Sequence, residues 1–110
     1  MSEYYILQGH RTVPVNMMAW ARWSKGAGPN ARRVAVTQVG PDIFVSTVFL
    51  SLNYQFGSGP PLLFETMVFG GPFDQEMMRY TTWEEAEDGH EAMVEKVQDG
   101  PARKFNLDDE

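Results

Sequence analysis

The chain has 110 residues, 43% of them apolar and 13% aromatic, which suits one folded domain and argues against wholesale disorder. It contains no cysteine, which excludes disulfides, thiolate catalysis and cysteine-based zinc sites. The net charge of −6 is unevenly spread, because residues 1–55 carry five basic and two acidic side chains whereas residues 56–110 carry four basic and thirteen acidic ones.

Other totals narrow the class of protein further. No stretch approaches the ~18 continuous apolar residues of a membrane span. Residues 1–10 lack a basic segment followed by an apolar run, so we expect a soluble, cytoplasmic protein with no membrane partner. The sequence pI of about 4.8 disfavours nucleic acid as a partner.

The hydrophobic pattern predicts an α+β domain over residues 1–98 and an acidic tail over residues 99–110. Asn16 is a typical N-cap for the first helix, and Thr82 with Glu85 forms a capping box for the second. We expect an antiparallel sheet of four to five strands, with a short N-terminal helix and a longer C-terminal helix packed on it. In chain order, the predicted elements are strand 4–7, an extended segment 12–15, helix 16–25, strands 33–39, 43–52, 62–69 and 76–81, and a helix from 82 that ends at Asp99, Gly100 and Pro101.

The segment 43–52 differs from the other strands because it is nearly apolar on both faces. Such a pattern is typical of a central strand that is covered on both sides. We expect helix on one face of this strand and a further layer on the other.

Glu65 lies in the most apolar segment of the chain, LLFETMVF (62–69). With the period of two of a strand, it shares a face with three apolar side chains: Leu63, Met67 and Phe69. Three interpretations stay open. The face is the outer, half-covered one; or the carboxylate pairs with Arg33, Arg79 or His90 in a partly buried pocket; or the face joins two copies of the chain.

His90 falls on the apolar stripe of the second predicted helix, directly after Gly89. A glycine inside a helix costs roughly 1 kcal/mol relative to alanine, and here it indicates a close approach of another backbone. His90 is either a core residue with a ring hydrogen bond or a group for ligand binding or acid–base chemistry. The predicted stripe comprises Trp83, Ala86, His90, Met93, Val94 and Val97.

Aromatic and basic side chains outside the predicted core are candidates for binding a ligand or partner. The aromatic candidates are Trp23, Tyr54 and Phe56, which look exposed, and the basic ones are Arg33 and Arg79. Two histidines without characteristic spacing predict no metal site. No phosphate loop or complete nucleophile motif is present, so we predict no cofactor and no confident catalytic residue, with Glu65 and His90 as the only candidates.

Several segments resemble a widespread family of small hypothetical proteins encoded by tailed phages, prophages and other bacterial mobile elements. These segments are STVFLSL (46–52), GPPLLFETMVFGG (59–71) and RYTTWEEAEDGHEAMV (79–94), preceded by YYILQGH and MAWARW. The resemblance spans most of residues 3–97. Relatives often carry Asp-His where this chain has Asn53-Tyr54, and this departure counts against a catalytic histidine in the loop. The resemblance implies a genomic setting and no mechanism.

The leading functional hypothesis is a non-enzymatic accessory protein that binds a host or viral protein, or a small signalling ligand. It would act in the host cytoplasm on a process such as defence, and it could be a homodimer. One alternative is a small enzyme or nucleotide-handling protein that uses Glu65 and His90. The other alternative is a virion or assembly component.

Overall fold

The strands and helices follow one another in the order that the sequence predicts. The structure is a computed structural model that describes residues 3–106, with side chains described as far as residue 100. The elements are β1 (Tyr4–Gln8), β2 (Arg11–Val15), α1 (Met17–Gly26), β3 (Arg33–Gly40), β4 (Ile43–Phe49), β5 (Phe64–Phe69), β6 (Met77–Tyr80) and α2 (Trp83–Asn106). The predicted α+β class, with a short N-terminal and a longer C-terminal helix, is confirmed.

The strands form two antiparallel sheets. The larger sheet has the order β3-β4-β5-β6, so each strand pairs with its neighbour in sequence. The smaller is the hairpin of β1 and β2, which is joined to the end of β4 by an isolated bridge between Tyr4 and Leu52. β4 stops at Phe49 rather than at the predicted Leu52, because Ser51 takes a left-handed backbone conformation (φ +65°) that an extended strand cannot accommodate.

The core lies between one face of the larger sheet, here called the inner face, and α2. On α2 the predicted stripe is confirmed, since Ala86, His90, Met93 and Val97 are all buried. Side chains of the hairpin and sheet complete the core: Tyr5, Val45, Phe49, Leu63, Phe64 and Val68. Burial of an apolar stripe against a sheet is the main source of stability for a helix that carries this many acidic residues.

Both helices begin with the predicted caps. In α1 the Asn16 side chain accepts a hydrogen bond from the Ala19 amide at 2.8 Å. At the start of α2 the Glu85 amide donates to the Thr82 hydroxyl at 3.1 Å, and the Glu85 carboxylate accepts from the Thr82 amide at 3.2 Å. These contacts pair backbone amides that the helix itself leaves without partners.

The helical geometry of α2 is interrupted at Gly100, which has a φ of +68°. The sequence predicts the end of the helix here, but helical backbone resumes over residues 101–106. The predicted acidic end of the tail, residues 107–110, lies outside the described residues. Across residues 3–106, neither helix is long and apolar enough to cross a membrane.

Gly89 allows an aromatic ring, rather than a backbone, to approach α2. A Cβ atom at this position would lie 2.2 Å from Cζ and Oη of Tyr80 on β6. The expectation of a second backbone is therefore wrong, because it is the side chain of an edge strand that reaches across the inner face. The glycine lets the sheet and helix pack closely at this point.

The opposite face of the larger sheet, here called the outer face, carries large apolar side chains in contact with solvent. Four of them are 39–47% exposed: Val36, Phe44, Phe69 and Met77. Phe44 pairs directly with Phe69, and Met77 pairs with Met67, which lies two residues before Phe69 on the same face of β5. The further layer that the sequence predicts over β4 is not supplied by the described part of this chain.

Candidate functional site

Glu65 lies on the outer face and is paired with its cross-strand neighbour Arg79. The Arg79 Nε donates to Glu65 Oε2 at 3.0 Å, and the Glu65 and Arg79 side chains are 16% and 25% exposed. The Tyr54 ring covers the guanidinium, with Arg79 Cζ 4.7 Å from the ring centroid. Of the proposed partners, Arg79 rather than Arg33 or His90 holds the carboxylate.

One predicted neighbour of Glu65 is wrong. Leu63 was expected on the same face, but it is fully buried. The strand begins at Phe64, so the period-two alternation does not extend back to residue 63. Met67 and Phe69 do share the outer face with Glu65, since they alternate with buried Thr66 and Val68.

His90 is buried against the inner face, where both ring nitrogens have hydroxyl partners. Nε2 lies 2.8 Å from the Thr37 hydroxyl and Nδ1 lies 2.7 Å from the Thr47 hydroxyl. Thr47 in turn contacts the Thr66 hydroxyl at 2.5 Å, so the network ties α2 to three strands. Burial lowers the pKa of His90, and the opposing effect of Glu91 is smaller. The neutral ring matches the core interpretation, because one nitrogen can donate while the other accepts.

The two candidates for acid–base chemistry are on opposite faces of the sheet. Successive residues of a strand point to opposite sides, so Glu65 faces outward while Thr66 joins the network of His90. A shared substrate could not contact both groups without displacing the sheet. The arrangement that the enzyme hypothesis requires is not formed by these residues.

The basic and aromatic candidates of the N-terminal half are not part of a shared site with Tyr54. Trp23 is half-buried, packing edge-to-face on Phe49 at 5.7 Å with the Arg32 guanidinium 5.5 Å from its ring. The expectation that Trp23 is exposed is therefore wrong, because the helix turns this ring onto the core. Arg33 is exposed at the beginning of edge strand β3.

An aromatic cleft of about 500 Å³ opens where β1, α1 and the loop after β4 meet. It brings together Tyr54 and Phe56, two residues that the sequence analysis selects, with others that it does not. Phe56 is 86% exposed at this cleft, more than any other large apolar side chain among the described residues. The residues of the aromatic cleft are Glu3, Tyr4, Trp20, Leu52, Asn53, Tyr54 and Phe56.

Hydrogen bonds hold the walls of the aromatic cleft in place. The Trp20 indole donates from Nε1 to the buried Ser51 hydroxyl at 3.0 Å. The Asn53 side-chain oxygen accepts from the amides of Gln55 and Leu62 at 2.8 and 3.1 Å, which folds the loop back on itself. The Asn53 amide also donates to the Glu3 carbonyl at 3.0 Å. The cleft is therefore preformed rather than dependent on a ligand for its shape.

Comparison with known proteins does not add a function to this geometry. No protein-family model, curated protein or solved structure matches the chain. The resemblance to proteins of phages and mobile elements stays a prediction.

Sequence patterns miss five of the seven residues of the aromatic cleft, because its members come from separate parts of the chain. Trp20 falls on the apolar side of α1 and reads as a core residue. Tyr4 was part of a strand signal, and only the alternation with buried Tyr5 indicates that it faces elsewhere. Nothing in the local sequence links Glu3 to Asn53, which are paired by a contact between distant parts of the chain.

Among residues 3–100, the structure contains no cluster of three or more histidine, cysteine or carboxylate side chains that could hold a metal ion. His10, the second histidine, stacks on Trp83 with ring centroids 3.8 Å apart and planes 8° from parallel. This contact fastens the tip of the N-terminal hairpin to the start of α2.

Proposed function

We propose that the protein is a non-enzymatic binding protein whose ligand site is the aromatic cleft. The observation that carries this proposal is the exposure of Phe56, 86%, beside a preformed concavity of about 500 Å³. Binding sites are typically concave and largely apolar, with a small number of fixed polar groups. Exposed aromatic side chains at such positions are typical anchors of recognition, since leaving them in water is unfavourable.

The biological setting of the proposal is that of an accessory protein of a phage or mobile element. The sequence resemblance supports this setting, and the uneven charge of the chain suits a protein that meets an oppositely charged partner. In this setting the bound species is a host or viral protein, or a small signalling ligand, and binding modulates a host process such as defence.

Native mass spectrometry of untagged protein, purified gently from a bacterial host, tests the proposal. We expect a retained mass, a ligand or a protein partner, that is lost when Phe56 is replaced by alanine. Met18→Ala is the matched control, because Met18 is 67% exposed but does not line the cleft. A partner that both variants retain equally would place binding elsewhere, and an apo mass without any partner from the host would contradict the proposal.

We also propose that a second copy of the chain covers the outer face. Four strands at ~4.8 Å spacing and about six residues at ~3.3 Å give roughly 400 Å² of flat area per copy. Because side chains make the accessible surface larger than this flat area, two copies together bury on the order of 1,000 Å² of surface, which is the lower end of the range for specific interfaces. A two-fold axis along the strands, between β4 and β5, would set four strands against four and place Phe44 of each copy opposite Phe69 of the other, so the apolar contacts are self-complementary.

Sedimentation equilibrium distinguishes this assembly from a monomer. Phe69→Lys puts a charge among the apolar side chains of the outer face and should yield a folded monomer. Glu84→Gln, which makes the same +1 change in net charge on exposed α2, should leave the dimer intact. A wild-type protein that sediments as a monomer at tens of micromolar would refute the proposed dimer without affecting the aromatic cleft.

A further inference from the structure

We infer that the aromatic cleft receives the cationic side chain of an arginine or lysine from a basic segment of a partner protein. The inference rests on the proposed function and names the chemistry of its ligand. It is drawn from the charge of the cleft, the orientation of its rings and the position of Phe56.

The charge of the aromatic cleft favours a cation. Among its residues Glu3 is the only ionisable acid or base apart from the phenols of Tyr4 and Tyr54, and no arginine or lysine lines it. An anionic ligand such as a phosphate would meet a carboxylate, and the two guanidiniums beside the cleft are already engaged, that of Arg32 with two serine hydroxyls and that of Arg79 with a glutamate. A cation would meet the carboxylate of Glu3 and the electron-rich faces of the rings, both of which attract it.

The rings of Tyr4, Trp20 and Tyr54 all line the aromatic cleft, and Tyr4 and Trp20 are tilted rather than stacked in parallel. The centroids of this tilted pair are 5.3 Å apart and the planes are inclined by 50°. The hydrogen bond from Trp20 to Ser51 fixes the orientation of the indole. Tyr54 already carries one guanidinium, that of Arg79, and lines the cleft with the rest of its ring. The chain itself thus shows that this ring binds a guanidinium.

Phe56 indicates that the cation belongs to a protein. A small free cation could lie on the rings of the cleft but would leave Phe56 in water at 86% exposure. A protein surface that places a basic side chain in the cleft would also cover Phe56 at the rim. The net charge of −6 would favour the approach of a basic partner at long range, whereas its position in the cleft would be set by the local contacts, because most acidic side chains lie in residues 56–110.

The test uses the full chain labelled with ¹⁵N and a titration with N-acetyl-Gly-Ser-Arg-Ser-Gly-amide, followed by the indole N–H signals. The three tryptophans provide internal controls, because Trp20 lines the cleft whereas Trp23 and Trp83 pack on the core. We expect the Trp20 signal alone to shift. The matched peptide with citrulline, which is isosteric with arginine but neutral, should bind at least about threefold more weakly.

Two variants connect the signal to the proposed contacts. Glu3→Gln keeps the shape of the side chain and should weaken the arginine peptide by about threefold without changing the citrulline peptide. Phe56→Ala should weaken the pentapeptide more than it weakens N-acetyl-arginine amide, since only the peptide is long enough to reach the rim. If Phe56→Ala weakens the binding of both compounds equally, or of neither, the assignment to a protein partner is refuted in favour of a free cation.

The outcomes separate this inference from the proposed function. Two outcomes would refute the cationic ligand but keep the aromatic cleft as the binding site. In the first, the citrulline and arginine peptides bind equally. In the second, neither peptide binds, while Phe56→Ala still releases the partner found by mass spectrometry. If no peptide shifts Trp20 and Phe56→Ala retains the partner, both the inference and the proposed function fail.

Discussion

Replacing Gly89 by alanine sets two opposing effects against each other at one position. In an ordinary helix interior, the change from glycine to alanine stabilises the fold by about 1 kcal/mol. Here the new Cβ would lie 2.2 Å from two atoms of the Tyr80 ring and 2.3 Å from a third, about 1.2 Å closer than the 3.4 Å at which ordinary van der Waals contact begins. Overpacking of this kind costs about 1–3 kcal/mol, and contact with three atoms of a rigid ring places the cost near the upper value.

We therefore expect Gly89→Ala to lower the free energy of unfolding by about 2 kcal/mol, the difference between the two effects. Urea denaturation at 25 °C, followed by tryptophan fluorescence, measures the change. The control is the same substitution in a Tyr80→Leu background, where the ring atoms in conflict are absent. There Gly89→Ala should stabilise by about 1 kcal/mol, so the double-mutant cycle gives a coupling of about 3 kcal/mol.

A stabilisation by Gly89→Ala in the wild-type background would refute this reasoning. It would mean that the Tyr80 ring does not rest on α2 or that it moves aside without cost. An equal destabilisation in both backgrounds would instead assign the effect to a neighbour other than Tyr80.

Three further predictions concern the core, the outer face and the cap of α2. Burial lowers the pKa of His90, and Glu91 opposes this only partly, so the unfolded chain binds a proton at this ring at a higher pH than the folded chain does. The free energy of unfolding should therefore fall as the pH drops below about 6.5. Denaturation midpoints across pH 5–8 measure this dependence, and His90→Gln should flatten it. Glu65→Gln should cost about 1 kcal/mol by weakening the partly exposed pair with Arg79, and an unchanged urea midpoint would contradict the pairing. Thr82→Ala should cost about 1 kcal/mol through the loss of the capping box, and an unaltered thermal midpoint would show that the cap contributes nothing.

The elements with strong local signals could be predicted from the sequence. Asn16 and the pair of Thr82 and Glu85 give the starts of both helices, because a cap depends only on residues three positions apart. The hairpin of β3 and β4 follows from alternation around a glycine and proline turn, and its antiparallel pairing is confirmed. The apolar stripe of α2 likewise follows from a period that the helix imposes.

What escaped prediction depends on contacts between residues distant in sequence. That Tyr80 would fill the space above Gly89, or that two threonines would contact the ring of His90, follows from the packing of α2 on the sheet. The sequence does not determine whether the face that carries Glu65 is covered. Period-two alternation says which residues share a side of the strand but not which side is covered, and the pairing with Arg79 comes from another strand. The aromatic cleft is formed by residues from three separate parts of the sequence, so no local pattern includes residues from more than one of them.

The construction of α1 has a consequence for how the aromatic cleft would behave over time. This helix has no buried residue, and side-chain bonds such as the one from Trp20 to Ser51 fasten it to the rest of the molecule. Elements with so little buried surface open locally far more often than the whole protein unfolds, and their amides exchange with solvent deuterium early. Each such opening would remove Trp20 from the cleft. The apparent affinity for a ligand is therefore proportional to the fraction of time that α1 is docked. A bound partner should in turn slow amide exchange in α1, and a substitution that strengthens α1 outside the cleft should tighten binding without touching the ligand.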